Sequence, residues 1–319
     1  MIKDFVKLAR PGDWTKNLFI IPALIYSGQW RVFIPESKVW ELEWAAIGRT
    51  LGAFLAFSLL ASAIYAVNDT LDAEKDRLHP VKRTRPVASG AISPAAASTF
   101  ALLLAVSAFA LSIAIDPSPP WLTMTLVMYI ALQVAYNAGL KRIMLLDVMA
   151  LSTGFVIRAL AGGAAVPVRV SLWLVLCVFF LCLYLGFIKR MCDYKSAERD
   201  DSDWTSPAGY DKEDDISWLL CFSGVMAILT YILYALSPQT GRLFGHRSVA
   251  FVLMVPIPVL VMHRMYMGAK RGKSDSPLGA IKGDPLVILG CFLFAALTVV
   301  VLSVPGLDLL LQKFFLMEN

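Results

Sequence analysis

Nine apolar stretches recur along the 319-residue chain, each close to the length of about 20 residues that a helix needs to cross a lipid bilayer. Because 58% of the residues are apolar and 17% are charged, a soluble core cannot hide all of this surface, and part of it must face lipid. The same composition excludes a disordered chain, a disulfide scaffold and a basic nucleic-acid-binding module. The composition therefore predicts an all-α polytopic membrane protein of about nine transmembrane helices. We further expect one domain over residues 1–319 around a central cavity open to the cytoplasm, for which the charged segments below give the reason. The predicted spans are 17–34, 45–67, 94–115, 120–140, 145–165, 170–188, 216–236, 249–267 and 285–305.

The basic residues are distributed unevenly between the two sides of these spans. With the N-terminus in the cytoplasm, the cytoplasmic segments carry 21 Lys and Arg residues and the opposite side carries 7, while Arg158 lies inside the fifth span. Cytoplasmic loops of membrane proteins are enriched in Lys and Arg, so we expect a cytoplasmic N-terminus. The candidate functional loops then also lie on the cytoplasmic side of a multi-pass protein of the plasma or inner membrane.

An acid-rich segment follows the second predicted span directly. Asp69, Asp72 and Asp76 are spaced i, i+3, i+7, so a helix that continues from the span would present all three on one face, with Asn68 beside them. Carboxylates crowded on one stripe repel each other unless a cation lies among them. Mg²⁺ prefers oxygen ligands and shares its coordination shell with phosphates. The segment therefore predicts a Mg²⁺ site, with Mn²⁺ as the alternative ion, that binds a diphosphate.

Three cations follow these acids within the same segment, namely Lys82, Arg83 and Arg85. Arg makes bidentate contacts with phosphate and Lys provides a point charge, so acids followed by bases indicate a metal–diphosphate site. The alternative is a solvated loop whose basic residues only mark the cytoplasmic side.

Two motifs in this region resemble a known family. The pattern NDxxDxxxD from Asn68 to Asp76, followed by RPxxSG from Arg85 to Gly90, resembles the first aspartate-rich motif of the UbiA superfamily of intramembrane prenyltransferases. Nine spans with a cytoplasmic N-terminus also fit this superfamily. The resemblance covers essentially the whole chain and implies a UbiA-like transmembrane domain over residues 1–319.

Further segments resemble one branch of this superfamily, the decaprenyl-phosphate phosphoribosyltransferases. They are the stretch from Asp76 to Pro86, the pattern RPxxWxKN that begins at Arg10, and Asp147 together with residues 154–158 and 161–163. Members of this branch transfer a 5-phosphoribosyl group from phosphoribosyl diphosphate (PRPP) to a long polyprenyl phosphate, with loss of diphosphate. The resemblance therefore implies PRPP and a polyprenyl phosphate lipid as substrates.

The segment after the sixth span departs from the pattern of relatives that use prenyl diphosphates, which carry a second DxxxD motif there. Asp193 is present, but Ala197 stands in place of the second acid, and Lys189 and Arg190 come before it. This change predicts an anion-binding loop, as PRPP requires for its separate 5-phosphate. The alternative is a pair of cations that only reach the membrane interface. The acidic remainder, 198–215, is irregularly spaced and is predicted to be a solvated loop.

Arg158 is a charged residue within the fifth span, eleven residues after Asp147 and therefore ~16 Å deep along a helix. A charge inside the membrane is costly and indicates a functional site by default. Asp147, Gly154 and Arg158 share one helix face, which we expect to line the cavity. The alternative is a structural ion pair between Arg158 and an acid elsewhere in the chain.

Polar residues at the ends of two spans complete the predicted site. Tyr136 is placed to bind a phosphate or ribose oxygen and Lys141 to add a cation, against the alternative of interfacial residues without a catalytic role. Lys16 and Asn17, at the start of the first span, are placed to reach the phosphate of the same ligand. The alternative is a lysine that only reaches the membrane interface.

The implied reaction is a substitution at the anomeric carbon of PRPP. Asp72 and Asp76, with Asn68, would hold the metal ion that neutralises charge on the departing diphosphate. Asp69 or Asp147 would orient a ribose hydroxyl or stabilise the cationic carbon. Because the acceptor is already an anionic phosphate, a strong general base is not required.

Two other functions fit the sequence. One is prenyl transfer from a prenyl diphosphate to an aromatic or lipid acceptor, which the interrupted second acidic motif disfavours. The other is an anion transporter with buried charges, although the charges concentrate on one side and form no path across the bilayer. The prenyl chain length and the oligomeric state stay open.

Overall fold

The computed structural model describes residues 2–22, 40–79, 81–115, 120–166, 170–199, 208–272, 276–304 and 306–315. Within these ranges all regular secondary structure is helical, as the sequence predicts. Short 3₁₀ helices cover Pro11–Ile20, Lys82–Thr84, Leu140–Arg142 and Gly245–Arg247. The α-helices are α1 (Ile2–Ala9), α2 (Trp40–Leu71), α3 (Ala73–Leu78), α4 (Pro94–Ile115), α5 (Trp121–Ala138), α6 (Leu146–Ala165), α7 (Leu172–Arg199), α8 (Glu213–Ala235), α9 (Pro238–Phe244), α10 (Ser248–Leu253), α11 (Pro256–Lys270), α12 (Pro277–Lys282), α13 (Pro285–Ser303) and α14 (Leu307–Phe315).

Seven helices of the described chain are long and apolar enough to cross a membrane, namely α2, α4, α5, α6, α7, α8 and α13. Pro238–Leu253 and Pro256–Lys270 form an additional pair bent by 46°, which raises the number to eight if the pair is one span. These helices correspond to the predicted spans from 45–67 onward. The first predicted span, 17–34, lies outside the described residues from residue 23, and its described beginning is part of the 3₁₀ helix Pro11–Ile20. The count of nine therefore stays a prediction.

Several helix starts are encoded by a capping residue followed by proline. The capping side chain accepts a hydrogen bond from a backbone N–H of the first turn, and proline fits the first helical position because its missing N–H has no partner there. The cap–proline pairs are Ser93–Pro94 of α4, Ser237–Pro238 of α9, Ser276–Pro277 of α12 and Asp284–Pro285 of α13.

The chain divides into two compact units. Unit 1 comprises Met1–Ala131 and Ile157–Arg169, and unit 2 comprises Leu132–Val156 and Val170–Asn319. In unit 1, α2 packs along α4, and α1 and the first 3₁₀ helix pack against α2. Alanines of both long helices share one buried cluster, which lets their backbones approach closely.

Unit 2 is built around the contact between α7 and α8, against which α11 packs. Its buried cluster contains large side chains such as Phe187, Tyr210 and Met262. Gly186 of α7 lies against Val148 at the start of α6, where an added Cβ would come within 2.3 Å of the valine Cγ1. A glycine is therefore required for these two helices to approach as they do.

Two local predictions are corrected by the structure. The second span does not continue as one straight helix through the acidic segment, because α2 ends at Leu71 and α3 begins at Ala73, with Asp72 between them at φ −92° and ψ 2°. Residues 189–199, predicted as part of a polar loop, are the last turns of α7. Their charges are compatible with a helix because i,i+3 and i,i+4 ion pairs stabilise it.

Candidate active site

Two buried carboxylates of unit 1 converge on one arginine. Arg85 Nη1 donates to Asp76 Oδ2 at 2.6 Å and to Asp69 Oδ1 at 3.1 Å. Asp69 and Asp76 are 2% and 4% exposed, although both belong to the polar end of a span. The spacing i, i+7 places them on nearly the same side of the helical path. Their side chains are therefore brought together with a cation between them.

Arg10 provides a second cation for the same cluster. Its Nη2 donates to Asp69 Oδ1 at 2.6 Å, and its guanidinium carbon lies 5.0 Å from the centre of the Tyr65 ring. The Arg10 backbone has the left-handed conformation, φ 51° and ψ 59°, which costs a non-glycine residue about 1–2 kcal/mol. Pro11 follows it and restricts the conformations open to Arg10. The turn directs the Arg10 side chain to a carboxylate 59 residues away.

The other predicted residues of the acidic segment lie differently. Asp72 is exposed and lies at the break between α2 and α3, so it does not continue the helical path on which Asp69 and Asp76 face each other. Lys82 and Arg83 are exposed on their 3₁₀ helix, and Asn68 is half-buried. In the described ranges, no three His, Cys, Asp or Glu side chains form a group that could hold a metal ion. The metal-ligand set of Asn68, Asp72 and Asp76 stays a prediction.

Arg158 forms a separate buried polar cluster in unit 1. It is 5% exposed, and it donates from Nε to Asn17 Oδ1 at 2.7 Å and from Nη2 to the Tyr129 hydroxyl at 2.8 Å. Asn17 in turn donates to Ser58 Oγ at 3.0 Å. The structure thus brings the predicted residues Arg158 and Asn17 together. Lys16 instead donates to Asp13 at 2.7 Å on the exposed side of the 3₁₀ helix.

Asp147 is the centre of a buried cluster in unit 2. Its side chain is fully buried, and Arg190 donates to its Oδ2 from both Nη2, at 2.7 Å, and Nε, at 3.1 Å. The Tyr210 hydroxyl donates to Oδ1 at 2.6 Å and accepts from the Leu145 N–H at 2.9 Å. Burial raises the pKa of Tyr210, and the hydrogen bond to Asp147 raises it further, so the phenol remains a proton donor.

The neighbouring predicted residues of unit 2 are also located. Lys189 donates to Asp193, and Arg190 contacts the other oxygen of Asp193 at 3.6 Å. Tyr136 is half-buried and interacts electrostatically with Arg190 and Asp147. Lys141 donates to Asn137 at 3.3 Å on the exposed side. The predicted anion-binding loop is therefore a helical segment whose cations contact carboxylates.

Sequence reasoning did not assign three residues that contact predicted site residues within their own units. Arg10 is part of the RPxxWxKN pattern, which was the available signal. Tyr129 contacts Arg158, from which it is separated by 29 residues in the sequence. Tyr210 contacts Asp147, from which it is separated by 63 residues. No local pattern reveals such pairs, because the tertiary fold creates them.

These features define an integral membrane protein whose helix ends carry buried carboxylates paired with arginines. The sequence model of the UbiA prenyltransferase family matches residues 39–282, which is most of the chain. The chain therefore belongs to the UbiA prenyltransferase family.

Two relatives have a more specific name. The chain is 36% identical over 204 residues to a decaprenyl-phosphate phosphoribosyltransferase of Mycolicibacterium smegmatis, covering 62% of this chain and 59% of the relative. It is 30% identical over 257 residues to a decaprenyl-phosphate phosphoribosyltransferase of Mycobacterium tuberculosis, covering 80% of this chain and 82% of the relative. The match thus spans less than two thirds of the first relative and most of the second.

The fold is similar to that of a solved UbiA homologue. The structure of a UbiA homologue from Archaeoglobus fulgidus, bound to GPP and Mg²⁺, matches with a TM-score of 0.61 over 94% of this chain and 100% of the homologue. The sequence identity is 17%, so this similarity concerns the fold.

Proposed function

We propose that this protein is a phosphoribosyltransferase that moves a 5-phosphoribosyl group from PRPP to a polyprenyl phosphate and releases diphosphate. The observation that carries this proposal is the 30% identity to a decaprenyl-phosphate phosphoribosyltransferase over 82% of that relative. The first aspartate-rich motif and its arginines provide the charged groups that such a reaction needs.

The cluster of unit 1 fits a divalent cation. Arg85 Nη1 contacts one oxygen of Asp69 and one of Asp76, so these carboxylates already converge on a single cationic atom. Oxygen ligands of this kind suit Mg²⁺ and Mn²⁺. A divalent cation bound by Asp69 and Asp76, with Asn68 or Asp72 as a further ligand, would neutralise charge on a diphosphate. A bound ion in the homologue of known structure also supports metal dependence.

The arginines of the same cluster are suited to phosphate. The side chain of Arg85 is 28% exposed and that of Arg10 26%, so neither arginine is fully enclosed. Each can form two parallel hydrogen bonds to a phosphate group. Lys82 and Arg83 add exposed positive charge three and two residues before Arg85 and attract an anionic substrate.

The transfer breaks the bond between C1 of the ribosyl group and the diphosphate oxygen, and forms a bond between C1 and an oxygen of the acceptor phosphate. The bonding electrons leave with the diphosphate, and the acceptor phosphate supplies the new pair. Because the acceptor is anionic, no side chain must remove a proton. The chain contributes by positioning the substrates and by stabilising charge as C1 becomes oxocarbenium-like.

The cluster of unit 2 supports phosphoribosyl rather than prenyl transfer. At the interrupted second motif, Asp193 is paired with Lys189 and Arg190, and Ala197 provides no second carboxylate. This segment is therefore poorly suited to hold a second metal ion. Arg190, oriented by Asp147, remains the proposed phosphate contact of this unit. Prenyl transfer is the second candidate function, since the family as a whole is named for it.

The proposed location is the plasma or inner membrane, with the N-terminus and the acidic segment on the cytoplasmic side. The 21 to 7 distribution of basic residues supports this orientation. It gives the polar donor access from the cytosol while the polyprenyl acceptor stays in the bilayer.

The test is turnover by the purified full-length protein in detergent, given labelled PRPP, a polyprenyl phosphate and Mg²⁺. We expect a labelled phosphoribosyl lipid, and we expect chelation by EDTA to abolish its formation. Asp76→Asn should lower kcat/KM by about 100-fold or more, the range found when one preorganised electrostatic contact is lost. Arg77→Gln, which changes a nearby exposed residue whose Nε contacts the Ala88 carbonyl, is the matched control and should retain turnover.

Consumption of a labelled prenyl diphosphate but not of PRPP would assign the chain to prenyl transfer instead. Turnover without a second compartment also separates an enzyme from an anion transporter. Product formation that is unaffected by EDTA would refute the proposed metal site.

A further inference from the structure

Arg85 occupies a distinctive place in the cluster of unit 1, since one of its nitrogens lies between the two carboxylates. Nη1 is 2.6 Å from Asp76 Oδ2 and 3.1 Å from Asp69 Oδ1. Arg10 also contacts Asp69 Oδ1, at 2.6 Å. Two carboxylates and two guanidiniums make this group of side chains electrically neutral. A free divalent cation therefore meets no net negative charge there.

The backbone of Arg85 is held in place, while its side chain is not enclosed. Its N–H donates to the Lys82 carbonyl at 2.9 Å, and its carbonyl accepts from the Ser89 N–H at 2.9 Å. The buried Pro86 follows it and limits its φ and ψ. Because the side chain is 28% exposed, the guanidinium can leave the carboxylates by rotation about its own bonds without moving the chain.

We propose that Arg85 is a cation gate: its guanidinium takes the place of the divalent ion between Asp69 and Asp76, and transfers to a phosphate group when the ion and a diphosphate arrive together. This inference rests on the proposed function, because it concerns the same metal–diphosphate site. Arg10 stays on Asp69 and keeps that carboxylate oriented. The gate makes the ion and the diphosphate bind cooperatively.

The physical reason is the cost of separating buried charges. An ion that enters alone must expel Arg85 from two carboxylates and leave the guanidinium without an equivalent partner. A diphosphate offers that partner, since a guanidinium binds phosphate oxygens through parallel charge-assisted hydrogen bonds. The exchange then keeps every charge paired. The free ion is consequently a weaker ligand for the resting protein than the ion–diphosphate complex.

The experiment measures Mn²⁺ binding to the purified full-length protein by electron paramagnetic resonance, without PRPP or lipid acceptor. The wild type should bind the preformed manganese–diphosphate complex at least tenfold more tightly than free Mn²⁺. Arg85→Gln should bind free Mn²⁺ about tenfold more tightly than the wild type does, because the competing cation is gone. The same variant should show a weaker preference for the diphosphate complex than the wild type, because one of the phosphate-binding guanidiniums is gone.

Two further variants make the result specific. Arg77→Gln removes one positive charge from the same segment without touching either carboxylate, and should leave Mn²⁺ affinity within twofold of the wild type. Arg85→Lys keeps the positive charge but lacks the planar guanidinium that makes bidentate contacts, and it should give an intermediate affinity for free Mn²⁺. Arg85→Lys also carries the test if melting curves show that Arg85→Gln does not fold.

The gate is refuted if both Arg85 variants bind free Mn²⁺ no more tightly than the wild type. Absence of Mn²⁺ binding in every variant, with or without diphosphate, overturns the gate together with the metal site. Failure of the proposed function alone is distinguishable, since PRPP would then not be consumed although Arg85→Gln still tightens Mn²⁺ binding.

Discussion

At the scale of single residues, the buried guanidinium of Arg158 is the most demanding feature of unit 1. A charge this deeply buried is stable only if its donors have partners, and Asn17 and Tyr129 provide two of them. Tyr129 is itself 4% exposed, and the guanidinium carbon of Arg158 lies 4.6 Å from the centre of its ring. One tyrosine therefore stabilises the arginine through both its hydroxyl and its aromatic ring.

We expect Tyr129→Phe to lower the free energy of unfolding by about 1–3 kcal/mol, because it leaves a buried charged donor without its acceptor. Tyr65→Phe is the matched control. Tyr65 accepts from the exposed Lys16 at 3.3 Å, and water can replace that contact, so the loss should be below about 0.5 kcal/mol. Denaturant unfolding in detergent measures both values. Equal losses for the two variants would contradict this interpretation.

At the scale of helices, the approach of α7 to the start of α6 sets the geometry around Asp147. Gly186 lies one turn before Arg190 on α7, and Val148 follows Asp147 on α6. Because an added Cβ at residue 186 would lie 2.3 Å from Val148 Cγ1, a larger residue must push the helices apart or rotate the valine. Valine resists rotation since its branched side chain has few allowed rotamers. The glycine therefore helps Arg190 to reach Asp147.

Gly186→Ala should destabilise the protein by about 1–3 kcal/mol, as overpacked cores do, and should also reduce turnover. Val148→Ala in the same background should recover part of both losses by removing the clashing methyl. Gly268→Ala in α11 is the control, because open space surrounds that position. It should stabilise by about 0.5–1 kcal/mol through helix propensity. Unfolding and PRPP turnover check the set, and a neutral Gly186→Ala would show that the contact relaxes freely.

At the scale of the whole molecule, the membrane orientation is a prediction from charge. Lys75 lies within the acidic motif on the predicted cytoplasmic side, and Arg242 lies on the predicted opposite side. Both side chains are exposed, so a cysteine at either position is accessible to a reagent that reaches its compartment.

In a background without the five native cysteines, we expect Arg242→Cys to react with a membrane-impermeant maleimide in intact cells. Lys75→Cys should react only after the membrane is permeabilised. The reverse pattern would place the N-terminus and the acidic motif on the outer side of the membrane, where PRPP from the cytosol cannot reach them. Labelling is read by a mass shift of the purified protein.

Much of the helical architecture could be predicted because it depends on local properties. The span predicted at 94–115 coincides with α4, Pro94–Ile115, since an apolar run of membrane length follows a cap–proline pair. By contrast, the predicted loop after residue 188 is helical to Arg199, because ion pairs along α7 stabilise a charged helical end that hydropathy alone reads as a connection. The central cavity, the single domain and the first span stay predictions.

The sequence by itself determined the class of protein, the chemistry of its charged residues and the acidic motif that carries the family resemblance. Only the tertiary structure decided which of those residues meet: Asp69 with Asp76 rather than all three acids, Arg10 on Asp69, and Tyr210 on Asp147. The physical reason is that hydropathy and capping act within a few residues. An ion pair between distant residues depends instead on a helix break at Asp72, a left-handed turn at Arg10 and the packing that brings them together.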